Sequence, residues 1–197
     1  MLELNVLERE LKRKIIHISG SIIPILYIFG SWDVAVLILS ICFFATLFIE
    51  WQRLKYNWQI SFARAHERLR ISGALYFAFS ALFAVLFFKK EIAISALLML
   101  AIGDSISGII GAAFEVKNFR GKEKRKPAKL FIIMLAICFF LAYFFLPFEV
   151  ALLGAVIAAI ADSFPLKFFN EILDDNLAIP ILSGTAMSIA IFFKIIK

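Results

Sequence analysis

The stretch "LAIGDSISGIIGAAF", residues 100–114, sets one aspartate, two serines and three glycines inside a long apolar run. Whether that run belongs to a soluble core or to a membrane span decides the fold. The whole chain answers the question. Of its 197 residues, 62% are hydrophobic and 18% are charged, whereas a soluble domain is nearer half apolar and about a quarter charged. The excess falls in blocks of roughly 16 to 24 residues separated by charged loops, the length that crosses a hydrocarbon core about 30 Å thick. The expected fold is an all-α polytopic membrane helical bundle forming a single domain over 1–197, because helices satisfy their own backbone polar groups in lipid.

Seven spans are read, at 15–29, 34–50, 72–88, 92–114, 129–146, 149–164 and 177–193. The start "MLELNVLERELKRKIIHISG" is basic and then apolar like a signal peptide, but its charges of both signs and His17 mark a retained first span behind a leader, 1–14. Short connections alternate with long ones at 51–71, 115–128 and 165–176, so one membrane face carries nearly all the loop material. Of the 21 Lys and Arg, all but Lys89, Lys90, Lys194 and Lys197 fall on that face. The positive-inside rule makes it cytoplasmic, with the N-terminus inside and the C-terminus outside. The net charge of +6 thus reflects orientation and lipid headgroups and calls for no nucleic-acid partner. Within 51–71, Trp51, Leu54, Trp58, Phe62, Ala65 and Leu69 recur at helical spacing. That loop is either an amphipathic helix in the interface or a connector anchored by two tryptophans. Cys42 and Cys138, far apart in apolar runs, read as inert core thiols.

A carboxylate at membrane depth costs about 2.5 to 3.5 kcal/mol on insertion scales, so it needs a partner or a task. Asp104 precedes Phe114 by ten residues, up to about 15 Å along a helix from the cytoplasmic end. Gly103, Gly108 and Gly111 around it permit the close approach of a helix or a ligand. "AIADS" at 159–163 echoes "AIGDS" at 101–105 and places Asp162 at the same side. "EILDDNLAIP", 171–180, gathers Asp174, Asp175 and Asn176 before the last span. These are hard oxygen ligands of the kind that hold Mg²⁺ on nucleotide phosphates, although Asn176 also suits a helix N-cap. Basic groups complete the set. "GKEKRKPAK", 121–129, carries Lys122, Lys124 and Arg125, and "ELKRKIIH", 10–17, carries Arg13, Lys14 and His17. Arg13 and His17 lie one turn apart on one face.

"ELKRKIIH", "GDSISGIIG" and "DDNLAIP" occur in an order and at spacings that resemble the dolichol kinase, phytol kinase and CTP-dependent diacylglycerol kinase family, over Glu10 to about Gly184. The resemblance implies a polytopic enzyme that phosphorylates a lipid alcohol with CTP as donor; the expected location is a prokaryotic cell membrane, with the active site on the cytoplasmic face that the Lys and Arg asymmetry defines. By position it implies Arg13, Lys14 and His17 for the basic motif, Gly103, Asp104 and Ser105 for the Gly-Asp motif, and Asp174, Asp175, Asn176 and Pro180 for the last. The loop keeps Gly121 and Lys122 but has Pro127 near the family's Glu, and Asp162 stands where many relatives have Glu. On this reading Asp104, Asp175 and His17 are catalytic. Asp104, Asp162, Asp174 and Asp175 are the metal ligands. Arg13, Lys14, Gly103, Ser105, Gly108, Lys122, Lys124, Arg125 and Asn176 contact substrate or nucleotide. Phosphoryl transfer asks mainly for positioning and charge neutralisation, and which carboxylate accepts the alcohol proton is left open. Two other readings compete: a cytidylyltransferase that makes a CDP-lipid, and a small transporter or lipid carrier with buried acids.

Overall fold

The computed structural model describes residues 11, 13–56, 71–114, 127–168 and 171–193. The basic loop with Lys122, Lys124 and Arg125, most of 51–71 and most of the leader lie outside the described residues. The described chain is helical except for one small hairpin. After helical residues 13–19 come α1 (Ile22–Phe29), α2 (Trp32–Tyr56), α3 (Gly73–Phe87) and α4 (Lys90–Leu98). A π-helical segment, Met99–Asp104, then leads directly into α5 (Ser105–Phe114). There follow α6 (Ala128–Tyr143), α7 (Phe148–Ser163), strands β1 (Lys167–Phe168) and β2 (Glu171–Ile172), and α8 (Asp175–Phe192). The strands pair antiparallel, Lys167 opposite Ile172, within what reads from sequence as an acidic loop.

Three helical stretches are long and apolar enough to cross a membrane: α2, Lys90–Ala112 and α8; α3 and α6 are shorter apolar helices. The outer surface is what lipid requires. Phe29, Phe144 and Phe192 are more than three-quarters exposed, and Leu37, Ile41, Phe44, Ile132 and Phe140 are also exposed. In water an apolar exterior on this scale would be an aggregation or interaction surface; around a membrane protein it is the lipid contact.

The middle helix, Lys90–Ala112, is mostly buried, whereas α2 lies at the periphery with almost nothing buried. The α6–α7 and α7–α8 pairs form the most extensive packing. They approach closely because α7 presents Ala151, Gly154, Ala155, Ala158 and Ala159, all buried. A Cβ on Gly154 would lie 2.8 Å from Met187 Cγ of α8, the small-residue contact that membrane helices use.

Two expected helices differ in detail. The span read as 15–29 is interrupted at Gly20–Ser21. There Ser19 and Ser21 donate to the carbonyls of Ile16 and Ile18, each at 2.6 Å, and such local bonds compete with the helical ladder. A Cβ at Gly20 would also sit 3.0 Å from the His17 carbonyl oxygen and against the Phe77 ring. At the other boundary, α2 does not stop at 50. It continues through Tyr56, so Trp51 and Leu54 belong to its last turns and not to a separate surface helix. Glu50 and Arg53 are buried there, joined by bonds of 3.0 Å to Arg53 Nε and 2.7 Å to Nη2. Glu50 also accepts the Ser72 amide at 2.8 Å, which ties the end of α2 to the start of α3.

Candidate functional site

The π-helical segment ends on Asp104. A π turn inside an α-helix re-aims the residues around it and is frequent at functional sites, and Gly103 eases the departure from α geometry. Asp104 is 3% exposed. Its Oδ2 accepts a bond from Lys14 Nζ at 2.6 Å, and the same ammonium donates to the Asp104 carbonyl at 3.0 Å. His17 Nδ1 stands 3.8 Å from that Oδ2. The sequence thus carries its own counter-charge for the deep carboxylate, from a residue 90 positions away. A charge-assisted bond between fully desolvated partners is the arrangement a buried charge requires.

The glycines divide their work. Lys14 lies over Gly108: a Cβ there would collide with Lys14 Cε and come within 2.8 Å of Nζ. Gly108 therefore admits the ammonium to Asp104. Gly103 faces α6, not the site, since its Cβ would lie 2.7 Å from Cys138 Sγ. The same holds for Gly111, 2.9 Å from Leu130 Cδ1. Gly103, expected from the resemblance to contact substrate, has its missing side chain accounted for by this helix packing. Ser105 Oγ reaches the Lys14 carbonyl at 3.5 Å, so it supports the backbone that delivers Lys14.

Three carboxylates from three elements converge. One oxygen each of Asp104, Asp162 and Asp175 lies within 4.8 Å of the others. Asp162, 4% exposed at the end of α7, accepts from Ser107 Oγ at 3.2 Å. Asp175 opens α8. Asp174 is not in this group. It is the N-cap of α8, its carboxylate accepting the Asn176 amide at 3.1 Å, which is the usual capping bond. The expected capping role of Asn176 is corrected too: Asn176 lies inside the helix and donates through Nδ2 to the Gly73 carbonyl at 3.1 Å. Pro180, four residues on, has no N–H to offer the Asn176 carbonyl, so the first turn of α8 is held by side chains rather than by a full ladder.

A cavity of about 260 Å³ adjoins these groups. Arg13, His17, Asp104, Asp174, Asp175 and Asn176 all line it. The His17 side chain is 10% exposed and packs edge-on against Phe77, ring centroids 5.6 Å apart. Among the described residues its Nδ1 has no hydrogen-bond partner. A buried polar atom left this way is costly unless something else binds it. Sequence reasoning did not identify Ser107, Phe77, or the Glu50–Arg53–Ser72 brace. Ser107 stands three residues after Asp104, a spacing that signals a shared helical face. The brace had the i, i+3 spacing of Glu50 and Arg53 as its only sign. One further expectation changes: Cys42 is exposed, not a core thiol, whereas Cys138 is buried.

An uncharacterised protein of Rickettsia prowazekii (strain Madrid E) is similar to this chain, 25% identical over 185 residues that cover 87% of this chain and 90% of that protein. No family model matches the chain, and no solved structure matches it.

Proposed function

We propose that this protein is an integral membrane phosphotransferase that moves a phosphoryl group from a nucleoside triphosphate, CTP by family resemblance, to the hydroxyl of a lipid alcohol at the cytoplasmic face. The observation that carries the reading is the convergence of Asp104, Asp162 and Asp175 beside Lys14 and His17 at the edge of a cavity in an apolar bundle. Carboxylate oxygens of the three acids lie within 4.8 Å of one another, two of them on buried residues, and at that distance they repel, with Lys14 seated against Asp104. A divalent cation between them would relieve that repulsion.

Mg²⁺ fits the donor set, since carboxylate oxygens are its preferred protein ligands; Asp104, Asp162 and Asp175 would hold it. When bound it neutralises charge on the phosphates. The chain's own residues do the rest. Lys14, seated on Gly108 and bonded to Asp104, would exchange that carboxylate for a phosphoryl oxygen. Arg13 and His17 line the same cavity and present donors to the group being transferred. Asp174 and Asn176 hold the first turn of α8, which positions Asp175. In this reading the incoming nucleophile is the hydroxyl of a lipid alcohol whose chain lies against the apolar part of the lining. Lys122, Lys124 and Arg125 meet the triphosphate from the cytosol in this account, with seven spans and the C-terminus outside.

The test is direct. Purified protein receives CTP labelled in its terminal phosphate, Mg²⁺ and a panel of prenols, phytol and diacylglycerol. Label moving to one alcohol supports the reading. CDP-lipid formation from a phosphorylated lipid, or no nucleotide chemistry at all, overturns it.

A further inference from the structure

The cavity is amphiphilic along its length, and its apolar arm reaches the outside of the bundle. Glu50 anchors α2 to Ser72, and the next residue, Gly73, anchors Asn176, so this is the polar end. Thr46 lies one turn before Glu50, and Leu39 seven residues before Thr46, about 10 Å further along the helix. Leu39, Cys42 and Thr46 share one face of α2 and all line the cavity, which therefore runs along α2 away from the carboxylates. Phe77 and Ala78 of α3 form the opposing wall. Two lining residues are also on the exterior: Ile16 is 50% exposed and Cys42 is exposed. They mark an opening between helical residues 13–19 and the middle of α2.

The way α2 is attached suits an opening there. Its N-terminal end is pinned by Trp32 Nε1 donating to the Val85 carbonyl at 3.0 Å. Its C-terminal end is pinned by the Glu50 carboxylate. Between the pins almost none of the helix is buried. Volume gives a further constraint. At about 260 Å³ the cavity is smaller than the 300 Å³ or more of pockets that enclose drug-sized ligands. It takes a polar head and the first part of one hydrocarbon chain, and the remainder must lie outside.

We propose that the opening between residues 13–19 and α2, at Ile16, Cys42 and Thr46, is a lateral portal through which a single-chain lipid alcohol enters from the bilayer, hydroxyl toward His17 and Asp104. This rests on the phosphotransferase reading for the role of the alcohol, but its test is structural. Intact protein in lipid nanodiscs is irradiated with a long-chain primary alcohol carrying a mid-chain diazirine, and labelled peptides are identified. Labelling concentrates on residues 13–19 and 39–46 and is largely lost with excess unlabelled alcohol, but not with excess two-chain phospholipid. Cys42→Trp, which enlarges a lipid-facing side chain at the mouth, abolishes that labelling, whereas Phe140→Trp on the far exterior does not. Label spread over exposed faces of α6 and α7, or competed equally by phospholipid, overturns the portal. Portal labelling by a protein that transfers no phosphate overturns the enzymatic reading and leaves the portal. Phosphate transfer with labelling elsewhere removes the portal alone.

Discussion

At the residue scale the account turns on Lys14 and Asp104. A carboxylate inside an apolar run was visible as a residue with a task, because lipid penalises any other kind. Its partner was not. Lys14 belongs to a basic cluster that membrane orientation already explains, and nothing in linear spacing joins it to a residue 90 positions away. Gly108, whose Cβ would displace that ammonium, was legible as a close approach but not as an approach by a side chain. Breaking a buried pair from one side leaves an uncompensated charge and costs about 3 to 5 kcal/mol. Lys14→Met therefore lowers the melting temperature in detergent more than the double variant Lys14→Met/Asp104→Asn does. Losses that simply add across the single and double variants would show that the two groups are energetically independent.

Among the elements, helix positions followed closely from the apolar runs, because lipid sets both their length and their composition. The π segment did not, since hydropathy is blind to whether a turn closes on the fourth or the fifth residue. The doublet Asp174–Asp175 was legible as more than a cap, but the division of labour depends on which residue has extended backbone, and Asp174 does. Asp174→Ala removes the capping bond and lowers stability by about 0.5 to 2 kcal/mol. Asp175→Asn leaves the melting temperature nearly unchanged and removes phosphoryl transfer. Thermal melts alongside turnover separate the two roles; the reverse pattern would exchange them. For the basic loop, the proposed contact with the triphosphate predicts that replacing Lys122, Lys124 and Arg125 together with Gln raises the KM for nucleotide strongly and leaves the KM for lipid nearly unaltered. Unchanged nucleotide kinetics in an inserted variant would confine these residues to topology.

For the molecule as a whole, the membrane class was written in composition, and the exposed phenylalanines of the exterior express it. Orientation rests on the Lys and Arg asymmetry alone. A reporter fused after Lys197 is accordingly expected to report a non-cytoplasmic C-terminus, whereas a cytoplasmic signal would remove the argument that acids and bases share one face. The cavity could not be foreseen, since it is made where residues 13–19, α2, α3, the π segment and α8 come together and no local pattern records that meeting. The central claim is that Asp104, Asp162 and Asp175 act as one unit from three distant stretches of chain. The most direct measurement is the rate of phosphoryl transfer from labelled CTP to lipid alcohol by the three single Asn variants and by the triple variant. Groups that act as a unit are strongly non-additive, so each single variant should fall about as far as the triple. A single variant with the unmodified protein's rate, or losses that multiply independently, would contradict the claim.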